Sequence, residues 1–249
     1  MPYGMYISAA GAAAQSERLQ ILSNNLANVD TPGFKRELAI FQARHSEAIE
    51  RGEAVAGLKG IEDVGGGVQL AESLTDYATG AVCKTGVATD MAIDGDGFFL
   101  VAKDGEQFLT RAGNFHFSAN GELHTEQGHA VMSPDGEPVA IDPTLPWRAL
   151  EDGSIQQEGN KTLLGVVKPQ SLGDLVKAGE NFFSPLASFE NVPANERSIK
   201  SGYLELSGVK PAAEMMELIE TSRAYEANIR LIQNQDHMLE SLLSRVLRQ

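Results

Sequence analysis

The chain has 249 residues, 42% apolar and 22% charged, with a net charge of −14 and a single cysteine. That length holds one large domain or two modest ones around a sizeable core, and the negative charge repels phosphate backbones, which argues against nucleic acid as a partner. Cys83 alone excludes an intramolecular disulfide and a cysteine-rich zinc site, and a lone thiol reads as a small buried apolar residue.

No stretch approaches the roughly 18 apolar residues that span a bilayer. The first basic residue is Arg18, so the amino-terminal segment lacks the positively charged region of a cleavable secretory signal. Residues 6–29 read as a helix, rich in alanine, with Ile7, Ala10, Ala14, Ile21, Leu22, Leu26 and Val29 at helical spacings. The run from Ala9 to Ala14 gives it a slim surface that a second helix can approach closely. Asp30-Thr31-Pro32-Gly33 ends it, because proline disfavours helix at the residue before it.

Residues 34–74 read as a linker and extended region. It holds a short helix at 39–51 and a flexible or extended glycine run, Gly65-Gly66-Gly67. From there to residue 201 the pattern is β. Turn dipeptides recur at Asp94-Gly95, Asp96-Gly97, Asp104-Gly105, Asn120-Gly121, Asp135-Gly136 and Asp152-Gly153. Between them lie short apolar or alternating runs, such as Phe98-Phe99-Leu100-Val101, Asn114-Phe115-His116-Phe117 and Leu163-Leu164-Gly165-Val166-Val167. Strands at that spacing predict a small antiparallel barrel or sandwich.

The carboxy-terminal segment is the stronger helix, opening at Pro211 with acids Glu214 and Glu217 in its first turns. Met215, Leu218, Ser222, Tyr225, Ile229, Ile232, Asp236, Leu239, Leu243 and Val246 step by three and four, a heptad seam broken by Ser222 and Asp236. From 211 to 247 the helix is about 55 Å long at 1.5 Å per residue, long enough that packing against other helices is the expected use.

Catalytic constellations are missing. There is no Gly-x-Ser-x-Gly elbow, no His-Glu-x-x-His and no phosphate-binding loop. Asp94 and Asp96 begin like a calcium loop, but Phe98 and Phe99 replace the next ligand and the required glycine. Two turns in series explain the tetrapeptide. His116, His124 and His129 read as solvent-facing or capping residues. The expectation is no enzyme, no cofactor, no metal site and no small-molecule substrate.

Three blocks carry a family resemblance. The first is Ile21-Leu22-Ser23-Asn24-Asn25-Leu26-Ala27-Asn28-Val29-Asp30-Thr31-Pro32-Gly33-Phe34-Lys35-Arg36. The second is Asp90-Met91-Ala92-Ile93-Asp94-Gly95-Asp96-Gly97-Phe98-Phe99-Leu100-Val101, followed by Thr110-Arg111-Ala112-Gly113-Asn114-Phe115. The third is Gly202-Tyr203-Leu204-Glu205-Leu206-Ser207-Gly208-Val209, then Arg223-Ala224-Tyr225-Glu226-Ala227-Asn228. Together, in this order, they resemble the flagellar rod, hook and hook-associated proteins. One departure is Gly208, where family members usually carry asparagine; both residues tolerate a left-handed backbone.

The resemblance implies an α+β fold. The amino- and carboxy-terminal helices pair as a helical core domain, and a central antiparallel β barrel or sandwich lies outside it. The expected divisions are a core helix at 1–33, the linker at 34–74, the β-rich domain at 75–201 and the second core helix at 202–249. It further implies a structural subunit of the basal-body rod, polymerising through its terminal helices, with copies of itself, other rod proteins and the flagellar export apparatus as partners. The place implied is the periplasmic rod, reached without a cleavable signal. The candidate assembly residues are Leu22, Asn24, Asn25, Leu26, Asn28 and Val29 on the first helix. On the last they are Met215, Leu218, Arg223, Tyr225, Ile229, Ile232, Leu239 and Leu243. Amides on a packed helix can bond neighbouring subunits and fix register, or simply cap the helix end. Length and the segment 80–86 are more like the proximal rod type than the distal type. A distal-rod or hook-type subunit is the alternative, and a secreted peptidoglycan hydrolase a remote one.

Overall fold

A computed structural model of the chain describes residues 3–45, 49, 51–52, 55 and 65–247. Among these, no helix is long and apolar enough to cross a membrane. The chain forms two compact units. One gathers Met1–Ala27, Glu37–Asp76 and Lys210–Gln249, and the other gathers Asn28–Arg36 and Tyr77–Val209. The second unit therefore takes in chain on both sides of the expected span 75–201.

The helical unit holds α1 (Tyr3–Ala27), the strands β1 (Glu37–Arg44) and β2 (Gly67–Thr75), and α2 (Pro211–Val246). Residues 39–44, expected as the start of a short helix, are strand; the rest of that expected helix lies largely outside the described residues. The strand wins because β1 pairs antiparallel with β2 along its whole length, Glu37 opposite Thr75 and Arg44 opposite Gly67. That ladder outweighs the weak local preference of Leu-Ala-Ile-Phe. The glycine run is likewise no loose linker. Gly66 donates its N–H to the Arg44 carbonyl at 2.7 Å, Gly67 opens β2, and a Cβ on Gly67 would lie 2.9 Å from the Ala10 Cβ. Glycine here allows the hairpin to approach α1.

The β unit is antiparallel throughout. It contains β3 (Val82–Lys84), β4 (Met91–Ile93), β5 (Phe98–Lys103), β6 (Glu106–Thr110), β7 (Phe115–Phe117), β8 (Leu123–Thr125) and β9 (Ala130–Val131). Then come β10 (Trp147–Ala149), β11 (Ser154–Gln157), β12 (Asn160–Leu163), β13 (Val166–Pro169), β14 (Leu175–Gly179), β15 (Phe182–Pro185), β16 (Phe189–Asn191), β17 (Ile199–Ser201) and β18 (Tyr203–Glu205). The main sheet runs β14-β15-β6-β5-β9-β8-β7, with β13 on β5 and β16 on β13. Its end strands β14 and β7 do not pair with each other, so the expected barrel is not closed. Smaller sheets join β17 to β4, β18 to β3, and β10 through β12.

Strand β5 lies at the centre. Phe99 and Val101 enter one apolar cluster with Met91, Phe115 and Leu123, while Phe98 and Leu100 enter a second with Leu109, Val167 and Phe183. Burial on both faces is why Phe98-Phe99-Leu100-Val101 is continuously apolar rather than alternating. Asp104-Gly105 turns β5 into β6 as expected. The pairs Glu158-Gly159 and Glu180-Asn181 do the same for β11–β12 and β14–β15, with positive φ at both residues of each pair.

Candidate assembly interface

Helices α1 and α2 pack antiparallel in one seam. A Cβ on Gly4 would meet the Gln235 amide at 3.0 Å, and one on Gly11 would meet the Asn228 amide at 3.2 Å. Arg18 Nη2 reaches Glu217 Oε2 at 3.5 Å, and Asn25 Nδ2 reaches Glu214 Oε2 at 3.3 Å. Gly4, Gly11, Arg18 and Asn25 are spaced by sevens, so one stripe of α1 follows one stripe of α2. The glycines make room for amides, which gives the pairing a polar register that an all-leucine seam lacks.

The face of α2 that meets α1 is Glu214, Leu218, Thr221, Tyr225, Asn228, Ile232, Gln235 and Leu239, offset from the expected heptad seam. Leu218, Tyr225, Ile232 and Leu239 belong to both and are half-buried. Of the other candidates, Ile229 is half-buried, and Met215, Arg223 and Leu243 are exposed. On α1, Leu22 is buried, Leu26 half-buried and Asn24 exposed. Asn25 is fully buried, and its amide is used within the chain. Its Nδ2 donates to the Glu37 carbonyl at 2.8 Å and its Oδ1 accepts the Glu37 N–H at 2.9 Å. The side chain thus acts as a strand neighbour for the first residue of β1. Asn28 and Val29 lie beyond the helix end, where the Thr31 hydroxyl donates to Asn28 Oδ1 at 3.2 Å.

The β unit holds a feature that sequence reasoning missed. Lys35, Arg111 and Glu205 form a buried ionic triad. Lys35 and Glu205 are each 1% exposed and Arg111 5%. Lys35 Nζ donates to Glu205 Oε1 at 2.7 Å and to the Ala78 carbonyl at 2.8 Å. Glu205 Oε1 also accepts the Gly80 N–H at 2.8 Å, and its Oε2 accepts from Arg111 Nη1 at 3.3 Å. Arg111 donates further to the carbonyls of Gly95 (2.7 Å) and Ile93 (3.4 Å), and stands 5.2 Å over the Phe98 ring. Burial lowers the guanidinium pKa, while Glu205 and Asp96 pull it back up. Each member comes from a different signature block. The backbone joins in: Gly33 N–H donates to the Glu205 carbonyl and Gly208 N–H to the Phe34 carbonyl, both at 2.8 Å.

Gly208 has no left-handed φ, and a Cβ there would meet the Phe34 carbonyl at 3.5 Å, an ordinary contact. The departure from asparagine is therefore sterically open in both directions. Cys83, expected buried, is exposed on β3.

The remaining candidate chemistry is occupied by ion pairs. Asp94 pairs with Lys200 at 2.6 Å and Asp96 with Lys168 at 2.8 Å. The Lys168 hydrogen bond and charge hold the Asp96 carboxyl below its ordinary pKa. His124 Nε2 lies 3.2 Å from Glu122, and His129 Nε2 lies 3.1 Å from Glu180. Among the described residues no three ligating side chains converge as a metal group.

Three family models match the chain. One described as flagella basal body rod protein covers residues 5–35, the flagellar hook protein FlgE/F/G D1 domain covers 92–162, and the flagellar basal body rod FlgEFG protein C-terminal model covers 200–245. The chain is 30% identical over 248 residues to the flagellar basal-body rod protein FlgF of Caulobacter vibrioides, covering 99% of this chain and 98% of that one. It is 30% identical over 259 residues to FlgG of Bacillus subtilis, covering 96% and 97%. With FlgG of Buchnera aphidicola from Acyrthosiphon pisum the figure is 32% over 259 residues, with the same coverage.

Proposed function

From the premise that the chain belongs to the flagellar basal-body rod proteins, and is thus a structural rather than catalytic protein, we propose that it polymerises through its paired terminal helices as a subunit of the proximal rod. The observation that carries this is the α1–α2 pair. Its inner seam buries Leu22, Asn25, Glu214 and Thr221 within one chain, yet α2 keeps Met216, Ile219, Leu231, Met238, Leu242 and Leu243 at least half exposed. Large apolar side chains left in water along a helix mark an interaction surface. The proximal assignment rests on length. The match to the FlgF-named relative spans 248 residues and nearly all of this chain. The FlgG matches run to 259 and 262 residues while covering less of it, so they need insertions. A distal-rod or hook-type subunit is the second reading, favoured by the number of FlgG-named relatives.

Passage through the flagellar export apparatus and residence in the periplasmic rod belong to the same proposal. The test is imaging of isolated basal bodies carrying an epitope in the exposed Glu158-Gly159 turn. Label at the rod segment nearest the inner membrane supports the proposal. Label confined to the outer rod or hook favours the second reading, and unlabelled basal bodies refute both.

A further inference from the structure

The hairpin of β11 and β12 carries a motif that the assembly reading leaves unexplained. Asn160-Lys161-Thr162 is the only Asn-x-Ser or Asn-x-Thr in the chain, and its middle residue is not proline. These are the first three residues of β12. Glu158 and Gly159, with φ of 47° and 91°, turn the chain, and Gln157 pairs with Asn160 to close the hairpin. Strand β12 ends its sheet, paired with β11 on one side only. Its other edge offers an extended backbone to an incoming protein. Side chains two apart on a strand point the same way. The Asn160 amide and the Thr162 hydroxyl therefore share a face, with Lys161 on the opposite one, 4.0 Å from Asp152. Asn160 and Lys161 are exposed and Thr162 is half-buried. No described residue engages the Asn160 amide or the Thr162 hydroxyl. Other amides of the β unit are committed: Asn114 to Glu126 at 2.7 Å, Asn181 to the Pro32 carbonyl at 2.8 Å and Asn191 to the Pro134 carbonyl at 3.3 Å.

We propose that Asn160 is an acceptor for N-linked glycosylation, a modification independent of how the chain assembles. The donor class is a glycosyl diphosphate, its sugar carried by a nucleoside or by a polyprenol. In the transfer, Asn160 Nδ2 bonds to the anomeric carbon of the sugar as the bond from that carbon to the diphosphate oxygen breaks. The diphosphate leaves with the electron pair, and one Nδ2 proton passes to a base of the transferase. An amide nitrogen is a poor nucleophile because its lone pair is shared with the carbonyl. The side chain must therefore be free to turn into the transferase, as Asn160 is and the committed amides are not. The Thr162 hydroxyl, on the same face, supplies a hydrogen bond that fixes the register of the acceptor strand. The turn accommodates a bulky, hydrated group without burying it, since Glu158, Gly159, Asn160 and Lys161 are all exposed.

The test takes two readouts on the full-length chain. In the first, chain purified from the cells that make it is digested, and the peptide spanning Asn160 is weighed by mass spectrometry. A sugar on Asn160 is expected. A single hexose assigns the nucleoside donor, and a preassembled oligosaccharide assigns the polyprenol donor. Unmodified Asn160 overturns the proposal. The second readout uses folded recombinant chain, UDP-glucose and an N-glycosyltransferase that reads Asn-x-Ser/Thr. The folded chain is expected to gain one glucose, at Asn160, at a rate close to that of a synthetic peptide of residues 155–165. Asn160→Gln gains none and Thr162→Ser keeps most of the rate. Thr162→Ala falls about tenfold, the worth of one hydroxyl hydrogen bond. Unchanged Trp147 fluorescence in each variant shows that the β unit is folded. A folded chain left bare while the peptide is glucosylated, glucose on another asparagine, or Thr162→Ala at the parent rate overturns the proposal.

Discussion

Replacing Glu205 by glutamine removes the one negative charge between two buried cations. Lys35 Nζ and Arg111 Nη1 then share a site where one side chain is 1% and the other 5% exposed. The amide N–H₂ must also face one of the two donors. Breaking a buried pair by deleting one partner costs about 3–5 kcal/mol; here two charges lose their partner, so the upper part of that range applies. At about 2–4 °C of melting temperature per kcal/mol for a domain of this size, the loss is roughly 8–20 °C. Lys35→Met should cost least, because Glu205 and Arg111 remain as a neutral pair and Glu205 Oε1 keeps the Gly80 N–H, while the Ala78 carbonyl loses the Lys35 donor. Arg111→Met should fall between, since it also releases the Gly95 and Ile93 carbonyls. Replacing all three by apolar residues should restore most of the loss, since a packed apolar substitute often equals a buried ionic cluster. Trp147 is the single tryptophan and packs edge-on at 5.2 Å from Phe117 inside the β unit, so its fluorescence reports that unit alone during thermal unfolding. A Glu205→Gln loss under about 1 kcal/mol, or a Lys35→Met loss exceeding it, refutes the reasoning.

Three further outcomes are expected. Gly11→Leu should force Asn228 out of the seam and cost about 1–3 kcal/mol by overpacking, seen as an earlier loss of helical ellipticity. Gly113→Ala should prevent the β unit from folding, because its Cβ would fall 1.6 Å from the Met91 carbonyl oxygen, whereas Gly208→Asn should leave Trp147 unfolding within about 0.5 kcal/mol of the parent. Asp152 accepts hydrogen bonds from the Ser154 hydroxyl and N–H, which hold its pKa below the ordinary value. The stability it contributes is therefore complete above the ordinary carboxylate pKa and lost as pH falls through the depressed one. The gap between parent and Asp152→Ala should hold steady from pH 7 to about 5 and close below about pH 4, as read by urea titration across pH.

The long elements were readable because their signals are local. Alanine content and Pro32 delimit α1, and a three-and-four step runs the length of α2. The run 98–101 named β5 through its unbroken apolar character. What stayed hidden depends on distant partners. The strand at 37–44 is fixed by β2 and by the Asn25 amide, neither of which a local window contains. In the α2 seam Leu218, Tyr225, Ile232 and Leu239 were legible, but the alternate positions that face α1 are Glu214, Thr221, Asn228 and Gln235, each one residue before the position expected from the heptad. Asn25 stood out by type, but its partner Glu37 lies past the turn at Pro32. The ionic triad was invisible for the same reason. Lys35, Arg111 and Glu205 each resemble an ordinary surface charge until the sheet brings them together.

Lys35 and Glu205 are 170 positions apart in the chain, so the β unit cannot close by local steps. Loop-closure entropy must be overcome before the contact returns anything, which places this lock late and makes it slow. Until Glu205 arrives, Lys35 and Arg111 are two like charges with no reason to leave water. A chain delivered amino end first therefore stays unlocked until Glu205 has emerged, just ahead of α2.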